Sequence, residues 1–183
     1  MIKVILVAIA VCIVVFVIIA ALQPDEFRVE RSISILAAPS APFAQVNDLH
    51  KWQAVSPYVK LDPSASYVID GASAGEGATL SWIGNSKVGE GRMTITESRP
   101  DELVRMRMDF IKPFASTCVA EFTFRAEGDG TQVTWSLAGP KNFISKAAGL
   151  VMNMDKMIGG QFEEGLANIK RVSEAAPKNV VQR

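Results

Sequence analysis

An uninterrupted apolar run near the N-terminus most constrains what this chain can fold into. It extends from Val4 to Leu22, nineteen residues without a charge, and Lys3 is the only charged side chain before Asp25. A helix rises about 1.5 Å per residue, so a run of this length nearly spans the ~30 Å hydrocarbon core of a bilayer. We therefore predict one transmembrane helix within residues 1–23, which contacts the membrane through residues 4–22.

A secretory signal peptide is the alternative interpretation of the same run. Signal peptides usually have an apolar region of about 7 to 15 residues followed by a small-x-small cleavage site, and residues 19–22 match such a site poorly. Run length therefore favours a retained anchor. Lys3 precedes the run, whereas acidic neighbours offset Arg28 and Arg31 after it, so we predict a single-pass protein with a cytoplasmic N-terminus and an extracytoplasmic domain.

The remainder of the chain predicts one domain close to the membrane. Residues 24–26 form a short linker, residues 27–174 the domain and residues 175–183 a tail. A domain of this size buries a substantial core. The whole chain carries 19 basic and 19 acidic residues, so it lacks the basic field that nucleic acid requires, and we predict no nucleic-acid partner.

Alternating apolar and polar residues predict strands along most of the domain. In residues 27–35, for example, apolar side chains alternate with Arg, Glu and Ser, and Arg31 is the exception on the apolar side. Further strands are predicted at residues 67–69, 78–83, 88–95, 103–110, 119–124 and 132–137. Phe43, Val46 and Leu49 recur at helical spacing and predict a short helix after the first strand.

The pattern changes to helical period near the C-terminus. From Asn142 to about Glu174, apolar residues recur at three- and four-residue steps, which predicts one long helix with a single buried face. Gly159 and Gly160 indicate a bend or a close backbone approach within it. Seven strands with hairpin spacing and one long helix predict an α+β fold in which the helix covers an antiparallel sheet.

Four segments of the domain resemble a known family. They read W-Q-A-V-S-P-Y at residues 52–58, G-E-G-A-T-L-S-W at 75–82, V-G-E-G-R-M-T-I at 88–95 and G-G-Q-F-E-E-G-L-A-N-I-K at 159–170. With the order of elements, they resemble the polyketide cyclase/dehydrase branch of the START-like (SRPBCC) superfamily over residues 27–174. The family usually has a second Trp before Ser-Pro, where this chain has Val55.

The resemblance implies a helix-grip fold, in which a curved seven-stranded antiparallel sheet wraps around the long C-terminal helix. In relatives, a deep apolar cavity between sheet and helix holds lipids, sterols, polyketides or hormones, and some branches catalyse aromatisation, cyclisation or hydrolysis. The quoted motifs are structural signatures, and none is catalytic. Family membership therefore predicts the fold and its cavity better than it predicts the ligand or the activity.

Methionines and large rings are the candidate lining of such a cavity. Thioethers and aromatic rings suit a flexible hydrophobic ligand, although the same side chains also fill ordinary cores. We predict that six of them contact a ligand: Trp82, Met106, Met108, Trp135, Met154 and Phe162.

Three charged residues are candidates for a polar end of the cavity. Glu90 and Arg92 share one face of a strand, and Arg31 stands among apolar neighbours on another. If these side chains point inward, they could orient the head group of a ligand. The alternative is a solvent-exposed cross-strand pair, which contributes only ~0.2 to 1 kcal/mol.

The sequence offers no recognisable catalytic constellation, and we predict no catalytic residue, metal or cofactor. His50 is the only histidine and has polar neighbours typical of a helix end, so a histidine-rich zinc site is excluded. The glycines at 71, 75, 77, 84, 89 and 91 lack the spacing of a phosphate-binding loop.

Three functions are compatible with these features. The first is membrane-anchored binding of a small hydrophobic molecule or lipid in a cavity between the sheet and the C-terminal helix. The second is an enzyme of the cyclase or dehydrase type, which would need Glu90, Arg92, Arg31 or Tyr67 as its polar groups. The third is a protein-interaction module that needs no ligand.

Overall fold

The computed structural model describes residues 1–151 and 153–175. It contains five α-helices, one 3-10 turn and seven strands in these described ranges. The helices are α1 (Ile2–Ala21), α2 (Ser40–Asn47), α3 (Leu49–Val55), α4 (Phe143–Val151) and α5 (Met154–Ala175), and the 3-10 turn is Pro57–Lys60. The strands are β1 (Glu26–Ile35), β2 (Ser66–Gly71), β3 (Ala78–Ile83), β4 (Glu90–Arg99), β5 (Leu103–Lys112), β6 (Ser116–Glu127) and β7 (Gly130–Pro140).

Helix α1 stands apart from the core of the domain. Only Ala20 among its 20 residues is buried, and the rest of the helix exposes apolar side chains. It contacts α4. The helix is long and apolar enough to cross a membrane, as a secretory signal sequence at the same place would also be.

The seven strands form one antiparallel sheet in the order β1-β7-β6-β5-β4-β3-β2. All seven predicted strands are present, and most extend beyond their predicted ends. A register shift between Ile95 and Glu97 marks an irregularity in the pairing of β4 with β5, and irregularities of this kind increase the local twist and bend of a strand. The α+β helix-grip prediction is confirmed, with the curved sheet covered by a long C-terminal helix.

Helix α5 and the two helices after β1 cover the inner face of the sheet. Phe162, Leu166 and Ile169 form the fully buried stripe of α5 and belong to the main core. The short helix predicted after β1 is two helices, because the Asp48 side chain accepts hydrogen bonds from the backbone N–H groups of His50 and Lys51 and caps α3.

The long helix predicted from Asn142 is likewise divided. Asn153 precedes α5, and its side chain accepts a hydrogen bond from the Lys156 N–H at 2.9 Å, so a new helix begins there. The break therefore precedes the bend predicted at Gly159 and Gly160, through which α5 continues. The predicted tail lies outside the described residues beyond its first member, Ala175.

Candidate functional site

A mostly apolar cavity of about 120 Å³ lies between the inner face of the sheet and the elements that cover it. Its walls come from β2 to β7, α3, the 3-10 turn and α5. A dry cavity of about 150 Å³ accepts benzene, whereas pockets for drug-sized ligands usually measure ~300 to 1,000 Å³. The cavity is thus somewhat smaller than one that accepts a single benzene ring; it matches a short alkyl segment, and a ring or a larger ligand requires its walls to move.

Strand alternation places the methionines of β5 in this cavity. Met106 is 1 % exposed and Met108 is half-buried, and both line it. Arg105 and Arg107 alternate with them and face outward, where Arg105 pairs with Glu121 on β6. The unbranched thioether side chains supply an adaptable wall.

Trp82 reaches the cavity from β3 because the neighbouring strand has a glycine beside it. A Cβ at Gly91, its cross-strand partner, would lie 2.5 Å from the indole ring. The Trp82 ring therefore lies against β4, with its edge contact to Phe110 at 5.9 Å between ring centroids. Its Nε1 donates a hydrogen bond to the Val88 carbonyl oxygen at 3.3 Å.

An aromatic stack closes one side of the cavity. The Trp135 ring is nearly parallel to Phe162 on α5, with centroids 3.9 Å apart, and it also stacks on Phe122 at 4.7 Å. Trp52 on α3 contacts Trp135 edge-on at 5.3 Å. All three tryptophans of the chain, at 52, 82 and 135, thus line the cavity.

Two buried polar atoms in the lining residues have no hydrogen-bond partner among the described residues. They are the Tyr67 hydroxyl and the Trp135 indole Nε1. A buried polar group without a partner costs about 1 to 3 kcal/mol, so a ligand oxygen that accepted a hydrogen bond from either would be favoured.

Both tyrosines of the lining stay protonated at neutral pH. Burial raises the pKa of Tyr58 to about 12. Burial and, to a smaller extent, the nearby Asp62 carboxylate raise the pKa of Tyr67. The cavity therefore presents neutral phenol groups, which suits an uncharged ligand.

A buried carboxylate fixes the β3–β4 hairpin at the cavity wall. Asp62 is 5 % exposed and accepts hydrogen bonds from the Ser64 hydroxyl and the Asn85 backbone N–H, both at 2.6 Å. These bonds, led by that from Ser64, lower the pKa of Asp62. They hold the hairpin that carries Trp82 and Val88 against the segment after the 3-10 turn.

Five of the six predicted lining residues surround this one cavity: Trp82, Met106, Met108, Trp135 and Phe162. The side chain of Met154 lies outside the described part of the structure. That these residues contact a ligand stays a prediction. Met157 on α5 is 52 % exposed and lies outside the lining.

The three charged candidates, Arg31, Glu90 and Arg92, lie outside the cavity lining. Arg31 does face α5, but its guanidinium forms ion pairs with Asp155 and Glu163, both at 2.8 Å. Hydrogen bonds to the two carboxylates raise its pKa further. The guanidinium lies against Gly159, where a Cβ would be 2.1 Å from Nη2, so Arg31 joins β1 to α5.

Glu90 and Arg92 each contact a side chain on a neighbouring strand. The Glu90 carboxylate pairs with Lys112 on β5 at 2.7 Å. Arg92 is exposed, and its Nε donates a hydrogen bond to the Ser81 hydroxyl at 3.2 Å. The inward positions on this strand belong to Gly91 and Met93, which are buried.

Sequence reasoning missed the polar lining residues contributed by α3 and the 3-10 turn. These are Gln53, Ser56 and Tyr58. All three belong to the segment W-Q-A-V-S-P-Y, so the motif that carried the resemblance was also the available signal. His50 on α3 is exposed, and no cluster of three or more potential metal-ligating His, Cys, Asp or Glu side chains occurs in residues 1–151 and 153–175.

Several solved structures have a similar fold over most of the length of this chain. TTHA0849 from Thermus thermophilus matches with a TM-score of 0.61 at 18 % identity, over 83 % of this chain and 100 % of its own. The Aha1 dimer from Colwellia psychrerythraea gives 0.58 at 13 % identity, over 83 % and 99 %. At these identities the similarity concerns the fold alone.

A di-domain protein gives a similar match. The di-domain ARO/CYC BexL from the BE-7585A biosynthetic pathway gives a TM-score of 0.60 at 13 % identity, over 88 % of this chain and 54 % of its own. The present chain thus spans about half of that protein. No curated protein matches the sequence.

The family model described as "Polyketide cyclase / dehydrase and lipid transport" matches residues 26–174. That range begins at the first residue of β1 and ends one residue before the end of α5, so it includes every element that lines the cavity. With the helix-grip fold and the apolar hollow beneath α5, this match places the chain in the polyketide cyclase/dehydrase and lipid transport family.

Proposed function

We propose that this protein binds a small hydrophobic molecule or part of a lipid in its cavity while α1 anchors it to a membrane. The cavity carries the proposal, because space of about 120 Å³ lined by rings and thioethers remains unfilled between the sheet and α5. Protein interiors are normally close-packed, so an apolar hollow of this size favours a ligand of matching chemistry.

Mass spectrometry under native conditions tests ligand binding in the full-length protein. After detergent extraction and exposure to a lipid extract, we expect an apolar molecule to remain bound. Ala120→Leu replaces a methyl group on the cavity wall with a larger isobutyl group. We expect no bound apolar molecule in this variant. Val119→Leu is the matched control, because Val119 is 43 % exposed and its side chain points to the opposite face of β6.

Quenching of tryptophan fluorescence by a small apolar probe is an independent test of ligand binding. Because every tryptophan lines the cavity, we expect bromobenzene to quench the intrinsic fluorescence of the wild type and of Val119→Leu. Quenching should be weaker in Ala120→Leu. Equal quenching in all three proteins, with no bound mass in any of them, would contradict the proposal.

A cyclase or dehydrase activity is the second candidate. The observation that favours it is the buried Tyr67 hydroxyl without a partner beside the cavity, since a phenol there could donate a hydrogen bond to a ketone oxygen. We expect any turnover of a poly-β-ketone by the full-length protein to fall in Tyr67→Phe. Turnover that is independent of Tyr67 would remove this support.

The membrane anchor and its orientation are tested separately. We propose that α1 is retained, with the N-terminus in the cytoplasm and the domain outside. N-terminal sequencing of the protein from cells should find Met1 or its neighbour, whereas a mature protein that begins near Gln23 would identify a signal peptide. An alkaline phosphatase fusion after Arg183 should be active, and an inactive fusion would reverse the orientation.

A further inference from the structure

Several elements end together at one end of the sheet. Glu26, the first residue of β1, pairs with Pro140, the last residue of β7. Phe110, near the end of β5, pairs with Ser116, the first residue of β6. The start of β1, the entry to α4 and the β5–β6 and β3–β4 hairpins therefore share one end, which we call the α1 end.

The α1 end lies beside the point where α1 stops. Residues 22–25 alone separate α1 from β1, a span of at most ~14 Å when fully extended. The Asp25 carbonyl oxygen accepts a hydrogen bond from the Lys141 N–H at 2.7 Å, and the Asp25 carboxylate pairs with Lys146 on α4. These contacts hold α4 next to the chain as it leaves α1.

Exposed apolar side chains concentrate at the α1 end. On the β5–β6 hairpin, Ile111 is 52 % and Phe114 is 70 % exposed, and at the start of α4, Phe143 is 49 % and Ile144 is 65 % exposed. We call these four residues the apolar rim. The strand order β1-β7-β6-β5 places the two groups on neighbouring strand ends. Exposed apolar patches are typical of interaction sites.

Acidic side chains pair with two of the lysines around the rim. Lys112 pairs with Glu90 at 2.7 Å, and Lys146 pairs with Asp25. Lys87 and Lys141, at the same end, form no ion pair among the described residues, but the rim itself consists of apolar side chains, so its attraction to a lipid surface would be mainly apolar.

The cavity becomes less enclosed toward the same end. Along β5, Met106 is 1 % exposed, whereas Met108 and Phe110, which lie nearer the α1 end, are half-buried. Trp82 and Val88, on the β3–β4 hairpin at this end, also line the cavity. The cavity is therefore least enclosed on the side that faces the apolar rim.

We propose that the apolar rim inserts into the interface of the bilayer that holds α1, so that the cavity opens toward lipid rather than toward water. This inference rests on the proposed membrane anchor and ligand cavity. It identifies the partner of the rim as a phospholipid surface and gives apolar ligands an entry route that avoids water.

Fluorescent labels on the full-length protein in phosphatidylcholine nanodiscs test the insertion. In a Cys12→Ala, Cys118→Ala background, an environment-sensitive label is attached to Phe114→Cys or to the control Asp129→Cys. Asp129 is exposed in the β6–β7 turn at the opposite end of the sheet. We expect a blue shift and quenching by lipids with nitroxide-bearing acyl chains only for the label at position 114.

The rate at which a ligand enters the cavity gives a second test of the proposal. It is measured in protein that retains Cys12 and Cys118. Phe114→Ser combined with Ile144→Ser should slow entry of a brominated fatty acid from vesicles into the cavity by roughly tenfold or more. Val68→Ser is the control, since Val68 is 62 % exposed on β2 and outside the rim. Replacement of phosphatidylcholine by anionic lipid should change the wild-type rate less than twofold.

The outcomes separate this inference from the proposed function. If both labels report water while α1 stays in the nanodisc and the cavity still binds ligand, the inference is wrong and the proposed function stands. If the protein is released from membranes by carbonate, the anchor and the inference fail together. Equal loading by the rim and control variants would also overturn the inference.

Discussion

The two ends of the sheet's inner face differ in how completely they are filled. At the packed end, defined by Ile35, Val104 and Phe124, these side chains are at most 5 % exposed and belong to the main core, and Phe43 on α2 contacts the Phe124 ring edge-on at 5.6 Å. At the hollow end, defined by Trp82, Met108 and Phe110, the side chains border the cavity. Helix α2 and the C-terminal part of α5 provide stability at one end, and their absence at the other leaves room for a ligand.

The largest expected difference between the two ends is in the free energy of unfolding that is lost when a side chain is truncated to alanine. Ile35→Ala should lower the free energy of unfolding by about 2 to 5 kcal/mol, because the Ile35 side chain is fully buried and its truncation leaves a void in close packing. Met108→Ala on β5 should cost about 1 kcal/mol or less, because its side chain already borders a hollow and is half-buried.

Chemical denaturation of the full-length protein in detergent measures both values. The unfolding of Val68→Ala, at an exposed position on β2, controls for general effects of truncation on a strand. Equal losses for Ile35→Ala and Met108→Ala would show that the hollow end is as tightly packed as the other.

Two glycines of α5 sharpen the comparison at the cavity wall. A Cβ at Gly165 would lie 2.7 Å from the buried Trp135 ring and 3.1 Å from Pro57. Gly165→Ala should therefore lower stability by about 1 to 3 kcal/mol. Gly160→Ala meets nothing within 4 Å and should raise stability by up to ~1 kcal/mol through helix propensity.

Opposite signs for the two variants in thermal unfolding would support the close contact between α5 and the aromatic stack. If both variants stabilise the protein by the same amount, Trp135 does not approach the helix as described. A change in tryptophan fluorescence should accompany Gly165→Ala only.

The smallest expected effect is on the stability of the protein at low pH, to which Asp62 contributes by holding the β3–β4 hairpin at the hollow end. Hydrogen bonds hold the pKa of Asp62 below its ordinary value of 3.8 in the folded protein. Its contribution to stability is therefore complete above that pH and is lost as the pH falls through the lower folded value. Asp62→Asn should reduce the loss of stability below about pH 4 in denaturation midpoints measured across an acid series. An identical acid profile for wild type and Asp62→Asn would contradict this role.

Local patterns were sufficient to predict most of the fold. Alternation in β5 identified Met106 and Met108 as inward-facing because each strand position has only two directions available. The division between α4 and α5 was missed because the apolar stripe continues across it, and the interruption depends on capping by Asn153.

The candidate site was harder to predict because its polar groups depend on distant partners. Arg31 does lie on the inner face, but it pairs with Asp155 and Glu163, which are 124 and 132 residues away in the sequence. Tyr58 enters the lining through the 3-10 turn, whose orientation relative to the sheet is set by tertiary packing with α5. Periodicity carries no information about either relationship.

The most direct test of an apolar hollow open to lipid is the tryptophan fluorescence of the full-length protein in nanodiscs of brominated phosphatidylcholine. All three tryptophans line the cavity and α1 contains none, so the emission reports on this site. We predict strong quenching relative to nanodiscs without bromine, and weaker quenching in Ala120→Leu. Equal emission in the two kinds of nanodisc would contradict the account.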